Sequence, residues 1–195
     1  MEWITAINPA TEEIIKKYRP DAAAAIQKKL KLAREAFLSW KTTSFDTRAD
    51  KLRKAAELLR SRKQEWAELM AREMGKPIAQ GRSEAEKCAW ACEYYAQEAA
   101  SMLKPIEVAT DANHSYVTFE PLGVILAIMP WNFPFWQVFR FLAPNLMAGN
   151  VAVLKHASNV PGCALAIQEI MRQAGFPDGV FQTLMMGSAA VKDLI

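Results

Sequence analysis

Val124-Ile125-Leu126-Ala127-Ile128-Met129, running straight into Pro130-Trp131-Asn132-Phe133-Pro134, decides the fold. An unbroken apolar run of strand length, rich in β-branched residues, predicts a strand buried on both faces, as in a parallel sheet. Asn132-Phe133-Pro134 then opens a helix with proline in its first turn, and Gly149-Asn150 closes it. Val151-Ala152-Val153-Leu154 is the next buried strand. A helix from about Pro161 to Ala174 ends at Gly175, and Val180 to Met186 makes a third strand. Strands alternating with helices at these spacings predict an α/β fold, the start of a doubly wound, Rossmann-like parallel sheet.

Upstream of Val124 the pattern is helical. Asp21 is placed to cap a helix carrying Ile26, Leu30, Ala33, Phe37 and Trp40 inward at spacings of three and four. A second helix starts near Asp46 and carries Leu52, Ala55, Leu59, Trp66 and Leu69 inward until Gly75 and Pro77. A third runs from about Pro77 through Cys88, Ala91 and Tyr95 to about Leu103. After Pro105, Tyr116, Thr118 and Glu120 alternate with Val117 and Phe119, which predicts a half-exposed strand.

With 51% apolar and 23% charged residues, the 195-residue chain has the composition of an ordinary soluble globular protein. Its 24 basic and 21 acidic residues leave a dispersed charge of +3, which implies no nucleic-acid partner. Cys88, Cys92 and Cys163 form no disulfide framework, and a reduced compartment suits them. Cys88 and Cys92 lie one helical turn apart without histidine or a second cysteine pair, so they read as core rather than as a metal site. Met1 to Thr5 lacks the basic start and apolar run of a secretory signal, and no apolar stretch spans a bilayer, so a cytoplasmic protein without membrane partners is expected.

An open parallel sheet binds ligands outside the carboxyl ends of its strands, which selects Pro130 to Pro134, Lys155 to Ser158 and Gly187-Ser188. Asn132, pinned between prolines at a helix N-terminus, has two readings: its amide donates to a developing oxyanion, or it caps the helix. Trp131 and Phe133 either line a pocket or fill a core. Lys155 projects from the ligand-binding edge or lies in an exposed loop, and His156 has no evident proton-transfer partner. Arg140 is a lone guanidinium in an apolar helix, sharing a face with Trp136 and Gln137. Such a charge needs an anion, from a substrate or from a protein carboxylate. No G-x-G-x-x-G follows any expected strand.

Pro130-Trp131-Asn132-Phe133-Pro134, Gly149-Asn150, Leu154-Lys155-His156-Ala157-Ser158 and Gly175-Phe176-Pro177-Asp178-Gly179-Val180 resemble, in order, the motifs of the aldehyde dehydrogenase superfamily. Asn8-Pro9-Ala10-Thr11, Arg48, Glu73-Met74-Gly75-Lys76-Pro77 and Glu120-Pro121-Leu122-Gly123 extend the resemblance over essentially the whole chain. In that family a cysteine thiolate attacks an aldehyde, an asparagine side chain and a backbone N–H hold the oxyanion, hydride passes to a nicotinamide, and water activated by a glutamate hydrolyses the thioester. Asn132 matches the asparagine. The cysteine and glutamate of the family lie beyond position 195, and Cys163 matches no nucleophile motif.

The resemblance implies cofactor contacts at Ile128, Met129, Pro130, Trp131, Asn132, Lys155, His156, Ala157, Ser158 and, through a loop near the adenine, Gly187. A serine at 158, where NAD-specific members often carry glutamate, implies NADP or NAD with NADP tolerated. Phe133, Trp136, Gln137 and Arg140 would contact substrate, with Arg140 meeting the carboxylate of a short aldehyde. Trp136-Gln137-Val138 and Lys155-His156-Ala157 look especially similar to bacterial NAD(P)-using succinate-semialdehyde-oxidising members. No metal is implied.

Residues 1–195 then form the N-terminal part of a cofactor-binding domain, with 105–122 contributing strands to an oligomerisation extension and the catalytic domain absent. A homo-oligomer is expected of the full-length enzyme. Two alternatives stand: a non-catalytic binding or assembly module of the same ancestry, and an enzyme for another short anionic aldehyde such as glutarate semialdehyde. Gly179 to Ile195 leaves the sheet unfinished, which points to a chain that continues.

Overall fold

The structure is a computed structural model that describes residues 3–194. The chain opens with an antiparallel hairpin of β1 (Ile4–Ile7) and β2 (Ile14–Tyr18), which the sequence did not announce. β1 buries only Ile4 and Ala6, and β2 has no buried residue, so neither displays a readable apolar face. Asn8 to Thr11 form the connection, where the Asn8 carboxamide oxygen accepts from the Ala10 N–H at 3.0 Å.

α1 (Ala23–Trp40) buries Ile26, Ala33, Ala36 and Trp40, as its periodicity predicts. Its cap differs from expectation: Ala22 holds the cap position without a side-chain bond. Asp21 instead accepts from the Lys29 ammonium at 2.5 Å and from the Met185 N–H at 2.9 Å, so it ties the start of α1 to a segment far along the chain.

The single helix expected from Asp46 to Gly75 is two, α2 (Phe45–Ser61) and α3 (Lys63–Met74), broken at Arg62 with φ −113° and ψ 19°. Ser61, Arg62 and Lys63 are all good enough helix residues to hide the break. Tertiary contact dictates it: beyond the break Trp66 is buried and its ring lies 6.0 Å from Phe135. Ser44 caps α2 by accepting from the Thr47 N–H at 3.2 Å, and Gly75 closes α3 at φ 73°, a left-handed position that favours glycine. α4 (Ile78–Met102) follows with Cys88 and Cys92 buried in its core-facing stripe. None of the helices among the described residues is long and apolar enough to cross a membrane.

The alternating stretch after Pro105 yields only β3 (Ile106–Glu107) paired with β4 (Tyr116–Val117), with all four residues exposed rather than half-exposed. Beyond it lies a parallel sheet of β5 (Val124–Met129), β6 (Val151–His156) and β7 (Phe181–Thr183), in that spatial order. α5 (Trp136–Met147) and α6 (Pro161–Gln173) make the two crossovers, which place both helices on one face. Packing of α1 reaches all three strands, and α2 to α4 cover the crossover helices.

All six residues of central β6 are buried. β5 corrects the expectation of burial on both faces, because it is an edge strand with Val124 and Ile128 exposed. Composition reports that a strand sits in a parallel sheet, and neighbours decide whether it lies at the centre. β7 is also shorter than Val180 to Met186, its pairing ending at Thr183 before a 3₁₀ turn at Ser188–Asp193. No further strand follows among the described residues, and Ile195 lies outside them.

Arg48 locks the end of the sheet remote from the candidate site. Its buried guanidinium donates to the Met147 carbonyl at 2.8 Å, the Lys41 carbonyl at 2.9 Å and the Thr43 hydroxyl at 2.9 Å. Carbonyls at the C-terminal ends of α1 and α5, which lack helical partners and carry partial negative charge, thus share one cation. Gly149, at φ 90°, lets that cation approach: a Cβ there would sit 3.0 Å from its Nη2.

Candidate active site

β5 and β6 run in parallel register with Met129 opposite His156, so Pro130–Pro134 and Ala157–Ser158 leave the sheet side by side at its carboxyl edge. The Ala157 N–H donates to the Met129 carbonyl at 3.0 Å, which stitches the two exits together. Ile128, Met129, Pro130, Trp131 and Asn132 therefore adjoin Lys155, His156, Ala157 and Ser158.

Lys155 and His156 belong to β6 itself and are buried, not part of an exposed loop; only Ala157 and Ser158 begin the connection. The Lys155 ammonium donates to the Ser188 hydroxyl at 3.1 Å, beside Gly187, and burial lowers its pKa below the usual lysine value. No carboxylate among the described residues pairs with it. A desolvated cation without an anion, next to the exposed Ser158 hydroxyl, is chemically suited to a sugar phosphate or ribose hydroxyls.

The structure separates the two readings of Asn132. α5 starts only at Trp136, so neither proline lies in its first turn and Asn132 does not cap it. The capping group is Glu84 of α4, whose Oε1 accepts from the Phe135 and Trp136 N–H groups, both at 2.9 Å. Asn132 is exposed at the sheet edge, and its amide has no hydrogen-bond partner among the described residues. Glu84 is itself buried and ion-paired with buried Lys76, whose ammonium lies 4.0 Å from the Phe133 ring centroid. Sequence reasoning missed Glu84 and Lys76. The available signal was position, since Glu84 falls four residues before Cys88, on the stripe of α4 assigned to the core.

Beside this loop, α4 and the start of α5 bound an open groove of about 460 Å³, with Gln80, Ser83 and Lys87 facing Phe133 and Trp136. Lys87, also unforeseen, places its ammonium 4.0 Å above the Trp136 ring. Gln137 and Arg140 lie outside the groove lining, further along the helix. Arg140 is exposed and makes no salt bridge among the described residues. The premise of a guanidinium enclosed by apolar neighbours is thus corrected: Val138, Phe139, Leu142 and Ala143 take the inward face, leaving Arg140 solvated.

A second buried carboxylate, Glu73, accepts from the Gly162 N–H at 2.8 Å and the Cys163 N–H at 2.9 Å at the start of α6. Burial raises its pKa, and the two N–H bonds oppose that rise. Both crossover helices therefore present N-termini already filled by protein carboxylates, in the place where a conventional dinucleotide fold seats a pyrophosphate.

The carboxyl edge of this parallel sheet thus carries a cation without a carboxylate partner and an amide without a hydrogen-bond partner among the described residues, with the groove between α4 and α5 beside them. The model of the aldehyde dehydrogenase family matches residues 1–195, and the chain belongs to that family. It is 53% identical over 192 residues to a Synechocystis protein described as a probable succinate-semialdehyde dehydrogenase (NADP+), covering 98% of this chain and 42% of the relative. Identity is 45% over 195 residues to succinate-semialdehyde dehydrogenase (NADP+) 1 of Mycobacterium tuberculosis, covering 98% and 43%. The crystal structure of succinic semialdehyde dehydrogenase from Streptococcus pyogenes in complex with NADP+ superposes with a TM-score of 0.94 at 31% identity, covering 97% of this chain and 42% of that one. The chain thus spans about two fifths of the length of the curated relatives it matches.

Proposed function

We propose that residues 1–195 are the amino-terminal, cofactor-binding part of an enzyme that oxidises succinate semialdehyde to succinate with NADP. The observation that carries this reading is the free amide of Asn132, released from capping by Glu84 and set on the same sheet edge as Lys155. Bound there, the nicotinamide cofactor would accept a hydride. The chain's own residues hold the reactants. Asn132 donates an N–H to the oxyanion that forms when a thiolate adds to the aldehyde carbon. Lys155 and Ser158 would hold the adenosine sugar of that cofactor, and Phe133 and Trp136, which line the groove, would border the approach of the aldehyde.

None of the three cysteines suits the role of nucleophile. Cys88, Cys92 and Cys163 are buried, and desolvation raises each pKa above the usual thiol value, which suppresses the thiolate. Their burial supports a reading in which the attacking thiolate is none of these three. The exposed outer edge of β5 supports the reading of residues 1–195 as part of a larger enzyme, since a doubly wound sheet changes direction beside its first strand.

Two substitutions in the complete enzyme test substrate and cofactor separately. On α5, Arg140 stands one turn beyond Trp136, where its solvated guanidinium is free to receive a carboxylate reaching past the groove. Arg140→Ala is expected to raise KM for succinate semialdehyde roughly 10-fold or more, the loss of one charge-assisted contact, and to leave butanal turnover unchanged. Equal loss on both aldehydes refutes the carboxylate contact. Ser158→Glu puts a carboxylate beside a 2′-phosphate; at about 4 Å the repulsion is roughly 1 to 4 kcal/mol. Fluorescence titration should show weaker NADP binding and retained NAD binding, and an unchanged ratio refutes the assignment of Ser158.

A further inference from the structure

His156 is a buried side chain that joins the two halves of the candidate site. The Pro134 carbonyl beside Nε2 can only accept, so a neutral ring bonded to it carries its hydrogen on Nε2, while Nδ1 lies 2.8 Å from the Ala157 nitrogen and shares its N–H with the Met129 carbonyl. Nε2 lies 2.9 Å from the Pro134 carbonyl and donates to it. Burial holds the imidazole below its usual pKa, which keeps it in this neutral form. The bond spans from the last residue of β6, next to Lys155, to the far end of the Pro130–Pro134 segment. Pro134 is buried while the side chains of Trp131, Asn132 and Phe133 are exposed; the Phe133 carbonyl accepts from the Gln137 N–H at 3.0 Å, and the Asn132 amide is held only through the anchors on either side of it. Met129 fixes the near end through the β5–β6 ladder and its carbonyl's bond to Ala157. At the far end, Glu84 holds Phe135 and Trp136 from the α4 side, and His156 is the side chain that ties the segment to the sheet.

We propose that His156 is a positioning residue for the oxidation: its Nε2–H latches the Pro134 carbonyl and so sets the amide of Asn132 relative to the strand that bears Lys155. This goes beyond the assignment of Asn132 as oxyanion donor and rests on it. With the latch removed, the Pro130–Pro134 segment keeps its ladder at one end and its cap at the other, but the amide loses its fixed height above the sheet. Displacement of a catalytic group by about 1 Å costs on the order of 100-fold in rate. Ground-state binding in the groove between α4 and α5, and cofactor binding through Lys155, do not use this bond.

The test is a double-mutant cycle in the complete enzyme. His156→Leu fills the volume without a donor and is expected to lower kcat roughly 10- to 100-fold, with KM and the Kd for NADP little changed. His156→Gln retains a donor at the Nε2 position and is expected to restore most of that loss. In an Asn132→Ala background, His156→Leu should add no more than about 2-fold, the usual scatter for independent sites being of that size. Additive losses, or a glutamine variant no better than leucine, overturn the latch. Should the leucine variant fail to fold, His156→Asn replaces it in the cycle, because its shorter amide does not reach Pro134. An Asn132→Ala enzyme with normal turnover would instead refute the role of Asn132, a result distinct from additivity.

Discussion

Asn132→Ala is expected to lower kcat of the complete enzyme roughly 100- to 1000-fold, the range seen when one side-chain donor is removed from an oxyanion hole. Stability should hardly change, because the amide is exposed and bonds to nothing among the described residues. KM should also hold, since the donor meets a charge that exists only after the carbonyl has been attacked. Asn132→Asp is expected to be at least as harmful with the same shape, because a carboxylate repels the oxyanion it replaces a donor for. Steady-state kinetics alongside thermal unfolding check both variants. A cap would behave oppositely: its removal costs about 1 kcal/mol of stability and spares the chemistry. Loss of stability with kcat preserved would therefore return Asn132 to the capping role that Glu84 fills here.

The apolar run Val151–Leu154 identifies the buried central strand, because burial on both faces leaves no polar positions. Val124–Met129 has the same composition and lies at an edge, for strand order depends on partners that no local pattern encodes. Asn132 was placed correctly at the sheet edge but left with two roles. The cap is filled by Glu84, on another helix, and only the fold brings it to the start of α5. Arg140 shows the reverse failure: local apolar neighbours suggested enclosure, whereas the helical turn directs those neighbours inward and the charge outward. His156 lacked a partner in sequence because its acceptor, the Pro134 carbonyl, is a backbone group. Backbone partners leave no side-chain signature, and the same holds for Arg48 at the opposite end of the sheet.

Glu84 carries the largest expected effect on stability. Its carboxylate is buried, pairs with buried Lys76 and holds the first N–H groups of α5. Glu84→Gln keeps an acceptor for those N–H groups but leaves the Lys76 ammonium inside the protein without a counter-charge. Stranding one partner of a buried pair costs about 3 to 5 kcal/mol, read as a lowered urea midpoint. Lys76→Met together with Glu84→Gln should regain most of that loss, since the charge is removed with its partner. Lys76→Met with Glu84→Ala should not, because the Phe135 and Trp136 N–H groups then lose their acceptor at a buried helix start. The three variants thus separate charge pairing from capping. A Glu84→Gln enzyme within about 0.5 kcal/mol of the parent, the level of an ordinary surface substitution, would show that the pair contributes nothing and that Lys76 finds water. Because the same carboxylate fixes the residues that follow Asn132, the Glu84→Ala pair variant should also lose kcat, whereas the Glu84→Gln pair variant, with its cap intact, should keep it.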